Sequence, residues 1–108
     1  MGSGEPLREF LYVEDLAKAI LFIVENNIET DLINIGSSEE VSIKELGFLL
    51  KEIIDYKGKI EFDTSKPDGN PRKLLDSSII NSHGWESTIN LEEGLIRTYS
   101  WYKENILD

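Results

Sequence analysis

The sequence predicts a small α/β domain in which amphipathic helices surround a minimal, mainly parallel sheet. Three observations carry this expectation. Apolar residues recur at helical spacing in three separate stretches, each opened by a cap or an acidic first turn. Short runs with strand character lie between the helices. The order strand, capped helix, strand favours a right-handed crossover with parallel pairing.

Taken in order, an extended segment from Arg8 to Val13 leads into a helix over Val13 to Asn26. Leu16, Ala19, Ile20, Ile23 and Val24 share one face of it, and Glu14 and Asp15 place negative charge at its N-terminal end. Leu32 to Ile35 reads as a strand. Ser42-Ile43-Lys44-Glu45 is a capping box, and Val41 with Leu46 has the spacing of a hydrophobic staple, so a second helix begins there. It buries Ile43, Leu46, Leu50, Ile53 and Ile54, and Gly58 follows its end. Lys59 to Phe62 alternates with period two and reads as a second strand. A short helix runs from Ser77 to about Ser82 and closes near Gly84. The last helix opens with Asn90 as cap and Glu93 three residues on, and buries Leu91, Leu95, Tyr99, Tyr102 and Ile106. Trp85 and Trp101 read as core.

Composition narrows the function. The 108 residues fit one domain without internal repeats, large enough to bury about two thirds of its unfolded surface. With no cysteine and one histidine, neither a disulfide framework nor a structural zinc site is available. The longest purely apolar run, Ala19 to Val24, falls far short of a bilayer span, and Met1-Gly2-Ser3-Gly4 lacks the features of a signal peptide. A cytoplasmic protein with no membrane partner is expected. Twenty-one acidic residues against 11 basic ones give a formal net charge of -10, which makes polymeric nucleic acid a poor partner.

Against that acidic background stands one cation-rich stretch, Lys66-Pro67-Asp68-Gly69-Asn70-Pro71-Arg72-Lys73. Pro67 suits the second position of a β-turn from Lys66 to Gly69, and Asn70 before Pro71 is pushed toward extended geometry. Arg grips phosphate with two parallel donors and Lys acts as a point charge. The stretch reads either as a site for a small phosphorylated ligand or as a solvated turn in which Asp68 pairs with Lys66 or Lys73. Arg72 has its own bland alternative, pairing with Asp76. His83 has no visible metal or base partner and reads as support for a helix end.

Residues 2–17, Gly-Ser-Gly-Glu-Pro-Leu-Arg-Glu-Phe-Leu-Tyr-Val-Glu-Asp-Leu-Ala, resemble the segment that opens the substrate-binding part of extended short-chain dehydrogenase/reductase enzymes acting on nucleotide sugars. Phe62 to Asp76 is similar to the C-terminal signature of the GDP-L-fucose synthase family within that superfamily. The likeness continues through Gly84-Trp85, Leu91 to Leu95 and Thr98 to Trp101.

The resemblance implies that residues 1–108 form a nucleotide-sugar-binding domain. Enzymes of this family epimerise GDP-4-keto-6-deoxymannose at two carbons and reduce the keto group with NADPH. Their glycine-rich dinucleotide fold and their Ser, Tyr and Lys set lie in an N-terminal Rossmann domain that these residues lack. No Gly-x-x-Gly-x-x-Gly stretch occurs here, so no cofactor is expected on this chain, and NADP(H) belongs to the parent enzyme. By resemblance the parent is a homodimer, the partner is a GDP-sugar, and Arg8 and Lys73 match positions that bind the nucleotide diphosphate. Asp68 matches a substrate-contacting position, and as a carboxylate it suits a ribose hydroxyl or a guanine N–H. Gly2 and Ser3 stay outside this set, because Met1 occupies the place where the family carries a Trp. Tyr99 and Lys103 have the Tyr-x-x-x-Lys spacing of the reductases but lie on the last amphipathic helix, where a packing role is expected. No catalytic residue is expected. The alternatives are the same domain of another nucleotide-sugar epimerase or dehydratase, and an acidic protein-interaction module.

Overall fold

In the computed structural model, which describes residues 2–107, the segment ahead of the first helix forms strand β1 (Leu7–Glu9). Helix α1 (Val13–Glu25), strand β2 (Glu40–Ser42) and helices α2 (Ile43–Ile54), α3 (Ser78–Ser82) and α4 (Leu91–Asn105) follow. Both long C-terminal helices start as their sequences dictate. The Ser42 hydroxyl accepts from Glu45 N–H at 3.0 Å, and Asn90 accepts from Glu93 N–H at 2.8 Å. No helix among the described residues is long and apolar enough to cross a membrane.

The sheet departs from expectation. β1 and β2 pair antiparallel, with Leu7 opposite Ser42, Arg8 opposite Val41 and Glu9 opposite Glu40. The parallel element is a single bridge on the other edge of β1, between Leu7 and Arg72. Leu32 to Ile35 and Lys59 to Phe62 form no strands. Their apolar side chains are used for packing instead. Ile33 and Ile35 lie against the core, and Phe62 meets the Phe48 ring at 6.3 Å between centroids. Period-two alternation records a half-buried surface, and a ladder also needs a neighbouring edge.

The termini of α2 and α3 show which residues take unusual backbone. α2 ends at Asp55, left-handed with φ 56°, a conformation that a short acidic side chain tolerates, and Gly58 follows three residues on. Gly84, with φ 102°, closes α3 as predicted.

The fully buried apolar centre is small: Ala19, Ile80 and Trp85, ringed by Leu11, Phe22, Ile23, Ile33 and Ile35. Trp85 is therefore core, whereas Trp101 is exposed on α4. Leu16, Ile20 and Val24 of the predicted inner face of α1 are also exposed, as are Ile54, Tyr102 and Ile106. On α1 the correction has one cause: the helix turns Asp15 inward and rotates to suit it.

Asp15 is 1 % exposed, and its carboxylate accepts three hydrogen bonds from the segment ahead of α4: Thr88 N–H at 3.2 Å, Thr88 Oγ1 at 3.1 Å and Ile89 N–H at 2.9 Å. A buried carboxylate is tolerated only when its lone pairs are filled in this way. Arg97 on α4 reinforces the join, lying 3.9 Å from Glu14 and 2.8 Å from Glu93. Asp15→Ala removes the acceptor for buried donors and is expected to cost about 2–4 kcal/mol in urea unfolding, with Asp15→Asn intermediate because it keeps one oxygen. Equal stability of the alanine variant and the parent would show that the join carries nothing.

Candidate functional site

The cation-rich loop is stapled to the sheet at four points. Leu7 N–H donates to the Pro71 carbonyl at 2.8 Å and Lys73 N–H to the Leu7 carbonyl at 3.4 Å, which is the parallel bridge. Arg72 grips Glu40 with two donors, Nε to Oε1 at 2.6 Å and Nη2 to Oε2 at 2.9 Å. Arg8 Nη1 donates to the Asn70 carbonyl at 2.8 Å and to the Leu7 carbonyl at 2.7 Å. Asp68 accepts from both groups of Ser3, the backbone N–H at 2.9 Å and the hydroxyl at 2.6 Å.

These contacts sort the predicted site residues. The bridge sets Leu7 beside Arg72, and the Lys73 N–H bond to Leu7 brings the Lys73 backbone next to β1, which carries Arg8. Lys73 is exposed, and Arg8 is half-buried with its guanidinium folded over the loop against Gly69. Asp68 is exposed beside a concavity of about 140 Å³ formed with Glu5, Pro6, Gly69 and Pro71. Asp68 belongs to that concavity, Arg8 reaches its Gly69 edge, and Lys73 does not line it.

Several predicted partners are corrected. Arg72 pairs with Glu40, and Asp76 instead accepts from Ser78 N–H at 2.9 Å. Asp68 is held by Ser3 rather than by Lys66 or Lys73. The hydrogen-bonded turn lies at Asp63 to Lys66, three residues earlier than predicted, because the Asp63 side chain captures the N–H and hydroxyl of Ser65. Sequence reasoning missed Glu40, Ser3 and Glu9. The Glu9 carboxylate accepts from Ser38 N–H at 2.6 Å and Leu75 N–H at 3.5 Å, tying β1 to two loops. No local signal marks Glu40, 32 residues from Arg72.

A side chain at Gly2 would strike the Lys66 carbonyl and one at Gly4 the Phe62 ring, so these glycines serve close packing. Lys103 lies over the face of the Tyr99 ring, 4.6 Å from its centroid, which is a packing contact. His83 Nδ1 lies 2.9 Å from the Ile79 carbonyl at the end of α3. Among the described residues no group of three or more His, Cys, Asp or Glu side chains is placed to hold a metal.

Comparison with known proteins fits this picture. The sequence profile described as "NAD dependent epimerase/dehydratase family" matches residues 1–36. GDP-L-fucose synthase 1 of Arabidopsis thaliana is 49 % identical over 105 residues, covering 97 % of this chain and 32 % of the relative. Over residues 1–36 the chain is similar to the NAD dependent epimerase/dehydratase family. GDP-L-fucose synthase of Sinorhizobium fredii is 48 % identical over 107 residues, 99 % of this chain and 34 % of the relative. A GDP-L-fucose synthetase structure from Naegleria fowleri superposes with a TM-score of 0.83 at 31 % identity, covering 96 % of this chain and 32 % of that one. The chain thus spans about a third of the length of the family members it matches.

The Ser3 clamp carries a pH signature. Bonds from the Ser3 hydroxyl and then its N–H hold the Asp68 carboxyl below the usual aspartate range. A depressed carboxyl stabilises the fold above its unfolded pKa and loses that contribution as pH falls through the folded value. Carbon NMR titration is expected to place the Asp68 midpoint below that of an ordinary aspartate, and Ser3→Ala to raise it. An unshifted midpoint in the parent protein would remove the clamp.

Proposed function

We propose that this chain is the nucleotide-sugar-gripping part of a GDP-L-fucose synthase-type enzyme, holding the GDP moiety through Arg8, Lys73 and Asp68. The observation that supports the reading is the bridge between Leu7 and Arg72, beside which the backbone of Lys73 lies against the strand that carries Arg8. Glu40 pairs with Arg72, so Arg72 serves the loop's position. The carboxylates of Glu5 and Asp68 repel phosphate and suit donors. This orients the ligand: the diphosphate lies on the Arg8 and Lys73 side, and a ribose hydroxyl or a guanine N–H reaches Asp68. Ser3 occupies one lone pair on each Asp68 oxygen, which leaves acceptor capacity for such a donor.

The names of the relatives favour guanine over other bases. Epimerisation and reduction belong to the remainder of the whole enzyme, where NADP(H) supplies hydride, and this chain contributes grip and orientation. A cleft wall on one side only gives weak binding, with a Kd near about 1 mM.

Calorimetry with GDP, UDP and dTDP tests the assignment. GDP is expected to give the largest heat, and Arg8→Ala and Lys73→Ala are each expected to weaken it about tenfold, with further weakening at high salt. Equal or absent heats for all three nucleotides would remove the guanine reading. Binding unaffected by both substitutions would favour the acidic interaction module.

A further inference from the structure

Asp68 is the one aspartate of the chain that precedes a glycine, and no asparagine does. That pair has a chemistry of its own. The backbone nitrogen of the following residue attacks the aspartyl Cγ, expels water and closes a succinimide ring. Water then opens the ring at either carbonyl, giving back the aspartate or leaving an isoaspartate whose main chain runs through Cβ and Cγ. The water lost on closing is regained on opening, so no other co-reactant is needed. Glycine suits the attacking position because its nitrogen is not shielded by a Cβ.

The fold exposes this pair and anchors the chain just beyond it. Asp68 and Gly69 are both exposed. Arg8 Nη1 donates to the Asn70 carbonyl at 2.8 Å, and Leu7 N–H donates to the Pro71 carbonyl at 2.8 Å. With the backbone held there, rotation of the Asp68 side chain decides whether Cγ meets the Gly69 nitrogen. Ser3 controls that rotation. Its N–H on Oδ1 at 2.9 Å and its hydroxyl on Oδ2 at 2.6 Å draw the carboxyl toward a segment 65 residues away in the chain. The same bonds keep the carboxyl ionised to lower pH than an ordinary aspartate, and a carboxylate is a poorer electrophile than the acid. Asp63 and Asp76 are arranged differently. Each accepts from the N–H two residues on, Ser65 or Ser78, and each is followed by a residue with a Cβ, Thr64 or Ser77.

We propose that Asp68 and Gly69 form a site of spontaneous isoaspartate formation, and that the double hydrogen bond from Ser3 holds this modification in check. Rearrangement adds one methylene to the loop backbone and shortens the arm that carries the carboxylate by the same group. The carboxylate then no longer meets both donors of Ser3, and the concavity shared with Glu5, Pro6 and Pro71 changes shape. The modification would therefore undo the geometry of the loop from within. The enzyme class that recognises such a residue is a carboxyl methyltransferase specific for L-isoaspartate. None of this chemistry depends on what the concavity binds.

The test ages the parent chain, Ser3→Ala and Asp68→Glu side by side at neutral pH. Electron-transfer fragmentation in a mass spectrometer locates isoaspartate residue by residue, and methyl transfer by an L-isoaspartyl methyltransferase counts it. In the parent, isoaspartate is expected at residue 68 ahead of Asp63 and Asp76. Ser3→Ala is expected to speed its formation at residue 68 about tenfold, through loss of a hydrogen bond to a charged group, and to leave Asp63 and Asp76 at the parent rate. Asp68→Glu, which lacks the geometry for the same ring, is expected to abolish the signal at that position. Unfolding the parent in urea is expected to raise the rate at residue 68 as Ser3→Ala does. Absence of isoaspartate at residue 68 in Ser3→Ala would overturn the proposal. Equal rates at residue 68 in the parent and Ser3→Ala would overturn it too, as would an unfolded parent no faster than the folded one. A Ser3→Ala variant that speeds all three aspartates alike would show general loosening of the fold and overturn it equally.

Discussion

The buried carboxylate of Asp15 is the constraint on which the rest of the structure depends. It accepts the N–H groups of Thr88 and Ile89 and the Thr88 hydroxyl, and so fixes α1 against the chain that leads into α4. Two rows of hydrogen bonds make a sheet too small to do this. Other carboxylates join distant segments in the same way: Glu9 accepts from Ser38 and Leu75, Glu39 from Leu91 and Asp68 from Ser3, while Asp63 and Asp76 accept locally from Ser65 and Ser78. Long loops leave backbone donors without ladder partners, and aspartate and glutamate supply the acceptors.

That wiring also explains what the sequence revealed and what it hid. Helix starts depend on contacts within four residues, so the caps at Ser42 and Asn90 and the glycine at Gly84 were legible. Long-range acceptors carry no local mark. Asp15 has the sequence appearance of a first-turn acid, and its partners lie more than 70 residues away. Because it points inward, the apolar stripe that periodicity assigns to the core is turned outward by about a quarter turn or more. The candidate site shows the same division. Its charged residues were legible from charge contrast and resemblance, whereas Glu40, which holds Arg72, and Ser3, which holds Asp68, were not. The predicted parallel sheet shrank to one bridge because a strand pattern states which side is buried and says nothing about which edge lies beside it.

The loop and the outer face of α1 are mechanically one assembly. β1 carries Arg8, accepts the loop through Leu7, and passes within three residues into α1. Glu9 anchors the same strand to the 36–38 loop and to Leu75 just beyond the cationic stretch. Whatever restrains β1 therefore restrains Arg8 and the backbone of Lys73 together. In the chain alone the cations are stapled from one side only, which is enough to give the loop its shape and too little to enclose a ligand.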